Sequence, residues 1–114
     1  MVTIVSSVGN SEFVRNSGWV IDSGASHHMT GAHYIFHTFL AINPVRQVVG
    51  ESGVAQVVRG AGRASFRLEF GELLDLEGVL LVPGLRVSLL SLLALEDARY
   101  VILFRRRHLF IYRM

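Results

Sequence analysis

The chain has 114 residues, 51% apolar and 18% charged, which suits one compact domain with a hydrophobic core and excludes disorder as a description of the whole. Its formal net charge is only +2, and every base is an arginine, spread from Arg15 to Arg113; a nucleic-acid binder of this size would carry a denser basic face. There is no cysteine, which excludes disulfides, thiolate nucleophiles and cysteine zinc sites, and no run reaches the roughly 18 apolar residues of a membrane span, so no membrane partner is expected.

In chain order, Val2 to Val5 reads as a short strand, and residues 1–18 as a lead-in that is loosely structured from Ser6 to Gly18. The domain proper is expected over 19–114. Trp19-Val20-Ile21 is a short apolar run stopped by Asp22-Ser23-Gly24, the pattern of a buried strand entering a tight turn. Tyr34 to Leu40 is a mixed aromatic segment closed by Asn43-Pro44. Val45 to Val49 and Val54 to Val58 are β-branched stretches around Gly50-Glu51-Ser52-Gly53, which predicts a hairpin, with Gly60 and Gly62 as punctuation after it. Ala64 to Phe70 alternates, with Ala64, Phe66, Leu68 and Phe70 on one face, as a half-buried strand does. Val79 to Val82 is a continuous apolar run ended by Pro83-Gly84, and Val87 to Leu90 is another. Ser91 to Asp97 is the best helical candidate. Tyr100 to Phe104 and His108 to Tyr112 flank three arginines, a terminal hairpin with a charged tip. Many short strands and one short helix make the expected class all-β. Trp19, Phe66, Phe70 and Phe104 are expected in the core. So little surface charge on so apolar a chain also predicts apolar surface covered by a partner.

The residues that point to chemistry are Asp22-Ser23-Gly24-Ala25. A carboxylate directly after an apolar strand, followed by a hydroxyl residue and glycine, is held rigidly in a turn whose N–H groups can approach it. The bland alternative is an ordinary Asx-type turn between strands. One acid is not a hydrolytic catalyst: activating water needs a base and protonating the product needs an acid, and two carboxylates sharing a proton supply both. The sequence holds one Asp-Ser-Gly, so a second must come from a second chain on a twofold axis.

The stretch Trp19-Val20-Ile21-Asp22-Ser23-Gly24-Ala25-Ser26-His27-His28-Met29-Thr30 strongly resembles the protease segment of copia-type (Ty1/copia) retrotransposon polyproteins, which runs tryptophan, two hydrophobics, Asp-Ser-Gly-Ala, Ser or Thr, any residue, His-Met-Thr. Val79-Leu80-Leu81-Val82-Pro83-Gly84-Leu85 and Ser88-Leu89-Leu90-Ser91 resemble two further blocks of that family, and the resemblance covers Trp19 to Phe104. It implies a retropepsin-like acid protease fold with one short C-terminal helix, closed as a homodimer and cleaving a peptide or polyprotein without metal or cofactor. By resemblance, Asp22 is the catalytic aspartate. Ser23 bonds across the dimer axis, and the backbone of Gly24, Ala25 and Ser26 meets substrate. Gly50, Glu51, Ser52 and Gly53 form a flap over the cleft. Leu89, Leu90 and Ser91 run beneath the catalytic loop into the helix. Ser26 and Leu92 stand where many viral relatives carry an acid and an arginine, so that salt bridge is absent, and Ser88 replaces the usual asparagine. The implied location is cytoplasmic, or a virus-like particle if the chain is part of a retroelement.

Other readings are weaker. The spacing of His27, His28, His33 and His37 is not a standard zinc pattern, and loop or packing histidines explain it better. Asp22, Ser26 and His27 are too close in sequence to converge as a serine-hydrolase triad. Gly60-Ala61-Gly62 lacks the third glycine of a dinucleotide loop. Arg105-Arg106-Arg107 reads as a solvated hairpin tip rather than an RNA contact. The rival class is a host-adopted or inactive module that keeps the protease shape only for dimerisation or binding.

Overall fold

The computed structural model describes residues 2–7, 19–49, 55–67, 73–106 and 108–113. The elements are β1 (Val2–Ser7), β2 (Trp19–Asp22), β3 (Met29–Thr30), a 3-10 turn (His33–Ile35), β4 (Phe36–Val49), β5 (Ala55–Arg67), β6 (Leu73–Leu81), β7 (Ser88–Ser91), α1 (Leu92–Asp97), β8 (Tyr100–Arg105) and β9 (His108–Arg113). The structure is thus mostly strand with one short helix, in line with the all-β expectation.

Two sheets form. The larger has the order β2-β7-β3-β6-β5-β4, and the smaller β1-β9-β8. The smaller sheet joins the two ends of the chain: β1 runs antiparallel to β9, with Val2 opposite Tyr112 and Ile4 opposite Phe110. The main core lies where the sheets and the helix meet. It is built from Trp19, Ala64, Leu74, Leu76, Val79, Leu90, Leu92, Leu95, Tyr100 and Ile111. A smaller cluster of Val58, Leu80 and Val82 occupies the other face of β6 and takes in Met29, Ile42, Ala61 and Leu85.

Strand β6 was legible only at its C-terminal half. It begins at Leu73, six residues before the expected run. Leu74 and Leu76 point into the core while Asp75 and Glu77 face out. The period then breaks at Gly78, which has φ +67. Gly62 pairs with Val79 and Ala64 with Leu76, so Arg63 alone faces both Glu77 and Gly78. This is a bulge with glycine in the left-handed region, and it brings Val79 back onto the core face.

Two expected breaks are not breaks. Asn43-Pro44 lies inside β4, and Gly60 and Gly62 lie inside β5. β4 is an edge strand, where a proline without an N–H costs no ladder bond on its open side. The pairing nevertheless slips there: Ala41 faces Gly60 and Arg46 faces Val58, so residues 42–45 stand opposite Arg59 alone. Gly60 and Gly62 are required by close approach. A Cβ on Gly60 would come within 2.6 Å of the Leu40 carbonyl oxygen, and one on Gly62 would collide with the Thr38 carbonyl. The expected hairpin forms, with Val49 opposite Ala55, but its tip at Gly50, Glu51, Ser52 and Gly53 lies outside the described residues. So do 8–18 of the lead-in, residues 68–70 with Phe70, and the side chains of Phe66 and Phe104.

Candidate active site

β2 carries Trp19 inward and ends on Asp22. It runs parallel to β7, with Val20 opposite Leu89, Ile21 opposite Leu90 and Asp22 opposite Ser91. β3 lies on the other side of β7, antiparallel to it, with Met29 opposite Leu89. The segment from Ser23 to His28 therefore leaves β2, arches over the end of β7 and returns on its far flank. β7 threads between the two arms of this ψ-shaped connection and passes straight into α1. The apolar pair Leu89-Leu90 thus lies between the arms, and Ser91 stands under the arch.

Within the arch, Asp22 Oδ1 accepts hydrogen bonds from the backbone N–H of Gly24 at 2.8 Å and of Ala25 at 3.1 Å. Among the described residues nothing bonds Oδ2. The carboxylate is half-buried, while Ser23, Gly24, Ser26 and His27 are exposed. One oxygen is thus fixed by the loop that follows it and the other is open to a reactant.

Ser91 holds the arch from below. Its hydroxyl donates to the Ala25 carbonyl at 2.6 Å and accepts from the Ala94 N–H at 3.0 Å, capping α1. Its own N–H donates to His28 Nδ1 at 2.9 Å. The His28 carbonyl in turn accepts from the Leu80 N–H at 2.9 Å, joining the arch to β6. Thr30 is fully buried and fixes the exit: its hydroxyl bonds the Ser88 hydroxyl at 2.8 Å and accepts from the Ala32 N–H at 3.1 Å. The structure brings the expected residues Asp22, Ser23, Gly24, Ala25 and Ser26 together on one arch above Ser91. The sequence offers His28 only as a loop or packing histidine and Ser88 only as a replaced asparagine, and it carries no local signal for the bonds of His28 to Ser91 or of Thr30 to Ser88.

The histidines do four different things. Ser26 and His27 share a hydrogen bond at 2.9 Å on the exposed face of the arch. His28 is 3% exposed, and burial, with the nearby His27 charge, pulls its pKa down to about 4. His33 meets Phe39 edge-on, with centroids 5.0 Å apart. His37 Nε2 bonds the Ser65 hydroxyl, which donates to Asp75 at 2.9 Å. In that last chain Ser65 is the middle member and gives its proton to the carboxylate, so His37 does not activate it as a nucleophile. Among the described residues no group of three or more potential metal ligands comes together.

Residues 19–100 match the family model described as the Pol polyprotein β-barrel domain. Over 84 residues the chain is 32% identical to a Nicotiana tabacum protein, the retrovirus-related Pol polyprotein from transposon TNT 1-94; the alignment covers 74% of this chain and only 6% of that polyprotein. No solved structure matches. The copia-type resemblance is thereby supported at the level of the polyprotein, whereas the family's description names a barrel and no catalytic activity. The chain belongs to the β-barrel domain family of Pol polyproteins.

Proposed function

We propose that two copies of this chain form an aspartic endopeptidase that processes a retrotransposon polyprotein, with the two Asp22 carboxylates side by side on the dimer axis. The observation that supports this reading most is the state of Asp22. It ends a core strand, one of its oxygens takes two backbone N–H bonds, and the other is unengaged among the described residues. An ordinary turn aspartate also accepts such bonds. It does not sit on an arch tied from below by a buried serine and a buried histidine.

In the proposed reaction one Asp22 is ionised and the other protonated. The ionised one takes a proton from a water molecule as the water oxygen attacks the scissile carbonyl carbon. The protonated one gives its proton to the carbonyl oxygen. Collapse of the resulting diol breaks the C–N bond, and a proton from the dyad reaches the leaving nitrogen. The two proton affinities belong to the pair. Ser23, exposed on the arch, bonds its counterpart across the axis in this reading. By resemblance the flap would be Gly50, Glu51, Ser52 and Gly53, which lie outside the described residues between β4 and β5.

The test is cleavage of a diverse peptide library at about pH 5 by the wild type and Asp22→Asn in parallel, with pepstatin as a second control. Cleavage by the wild type alone supports the dyad. Activity retained by Asp22→Asn removes Asp22 from the chemistry. Silence in both, from a folded dimer, would leave a binding module with a protease's outline.

A further inference from the structure

We infer that His28 is a positioning residue, whose neutral ring, with Nδ1 as acceptor, locks the Asp22 arch onto Ser91 and whose protonation releases it. The inference rests on the proposed catalytic role of Asp22 for its consequence, but not for its geometry. A backbone N–H can only donate. The 2.9 Å contact between Ser91 N and His28 Nδ1 therefore requires a lone pair on Nδ1 and places the ring proton on Nε2. Adding a proton to Nδ1 would set two donors against each other at that distance, and the bond would have to open.

Ser91 is a shared node, so the opening would spread. Its hydroxyl holds the Ala25 carbonyl on one side and the first turn of α1 on the other. The His28 carbonyl is fixed to Leu80. Ring, serine and loop thus form one closed circuit of hydrogen bonds, with the two N–H bonds that orient Asp22 at its top.

The surroundings set what charging the ring costs. His28 lines a cleft of about 410 Å³. β5 contributes Arg63 to it, β6 Asp75 and Glu77, β8 Tyr100, and α1 with its C-cap only the apolar Ala94, Leu95 and Ala98. His27, its neighbour on the arch, adds like charge. Arg63 and Glu77 are paired at 2.9 Å, and Asp75 takes the Ser65 hydroxyl. Both carboxylates are exposed and already engaged, so they offer an imidazolium little compensation. Burial dominates and favours the neutral ring.

Imidazole 15N shifts of the full-length chain, followed by NMR through a pH titration, test this directly and need no protease activity. The expected result is a neutral ring protonated on Nε2 from about pH 8 down to about pH 5, with the Ser91 amide protected from exchange until the ring charges. His28→Asn puts an amide oxygen near the place of Nδ1 and cannot titrate. It should keep the Ser91 amide protected at every pH at which the chain is folded, and any cleavage activity should extend further into acid. His28→Leu, which offers no acceptor, should lower kcat about tenfold with KM little changed. Proton on Nδ1, titration near the ordinary value, or the same acid-linked loss of Ser91 protection in His28→Asn would each overturn the inference. A ring that behaves as expected in a chain that cleaves nothing would uphold the lock and remove the protease reading.

Discussion

Removing the hydroxyl of Ser91 should cost about twice as much stability as removing that of Ser88 in the same strand. Ser91 is fully buried and its oxygen does two jobs. As the N-cap of α1 it accepts from Ala94, a bond worth about 1 kcal/mol in comparable caps. As donor to the half-buried Ala25 it contributes about 1 kcal/mol more. Ser91→Ala leaves the backbone N–H bond to His28 in place, so the expected loss is about 2 kcal/mol, a large share of the total stability of a small domain. Urea unfolding should show a midpoint lower by about 1 M with an unchanged slope, measured at one protein concentration so that self-association does not enter. Ser88→Ala is the control. It lies in the same strand and also loses a hydroxyl bond, but Thr30 keeps its Ala32 partner, so about 1 kcal/mol or less is expected. A loss under about 0.5 kcal/mol for Ser91→Ala, or one no larger than that of Ser88→Ala, would refute the claim that Ser91 joins arch and helix.

Three further outcomes follow from the packing. The His28 pKa of about 4 lies below its unfolded value of 6.5, so the unfolded chain binds the proton first; the contribution is fully present above about pH 6.5 and is lost as pH falls through about 4, amounting to about 3 kcal/mol over that window. The difference in unfolding free energy between wild type and His28→Asn, followed across that range, reads it out. Leu95 is 1% exposed in the main core, and Leu95→Ala should cost about 3 kcal/mol by chemical denaturation. Gly62→Ala should cost about 2 kcal/mol and lower the melting temperature, because its methyl would press into the Thr38 backbone and force β4 from β5; an unchanged melt would mean that the two strands are not held at that separation.

What the sequence disclosed and what it hid divide along one physical line. Features set by neighbours in the chain were readable. Trp19 to Ile21 ending in Asp22 gave a strand and its turn, and Ser91 to Asp97 gave the helix. The two apolar stretches around the arginines gave the β8–β9 hairpin, in which Arg105 faces His108. Features set by partners distant in sequence were not. Nothing near Pro44 says that β4 is an edge strand. Gly60 and Gly62 look like breaks until Phe39 and Thr38 are seen against them. Gly78 hid the first half of β6 by interrupting its alternation, and β3 is two residues long and exists only because β6 and β7 flank it. His28 is the sharpest case. Between His27 and Met29 it reads as one more loop or packing histidine, and its partner lies 63 residues away.

The same division explains why the arch needs so much support for a single carboxylate. An Asx turn alone would fix Asp22 Oδ1 against Gly24 and Ala25 yet leave the whole turn free to tilt as a unit. The parallel register with β7 fixes where Asp22 begins, and the Ser91 and His28 bonds fix where the arch comes down. Only with both ends anchored does Oδ2 acquire a defined direction relative to the rest of the domain. The proposed dyad of two identical chains would demand that directional precision, since any tilt in one copy is repeated with opposite sense in the other and the separation of the two acids changes twice over. A turn kept only for folding has no such requirement. The buried circuit beneath Asp22 is therefore more informative about function than the Asp-Ser-Gly triplet above it.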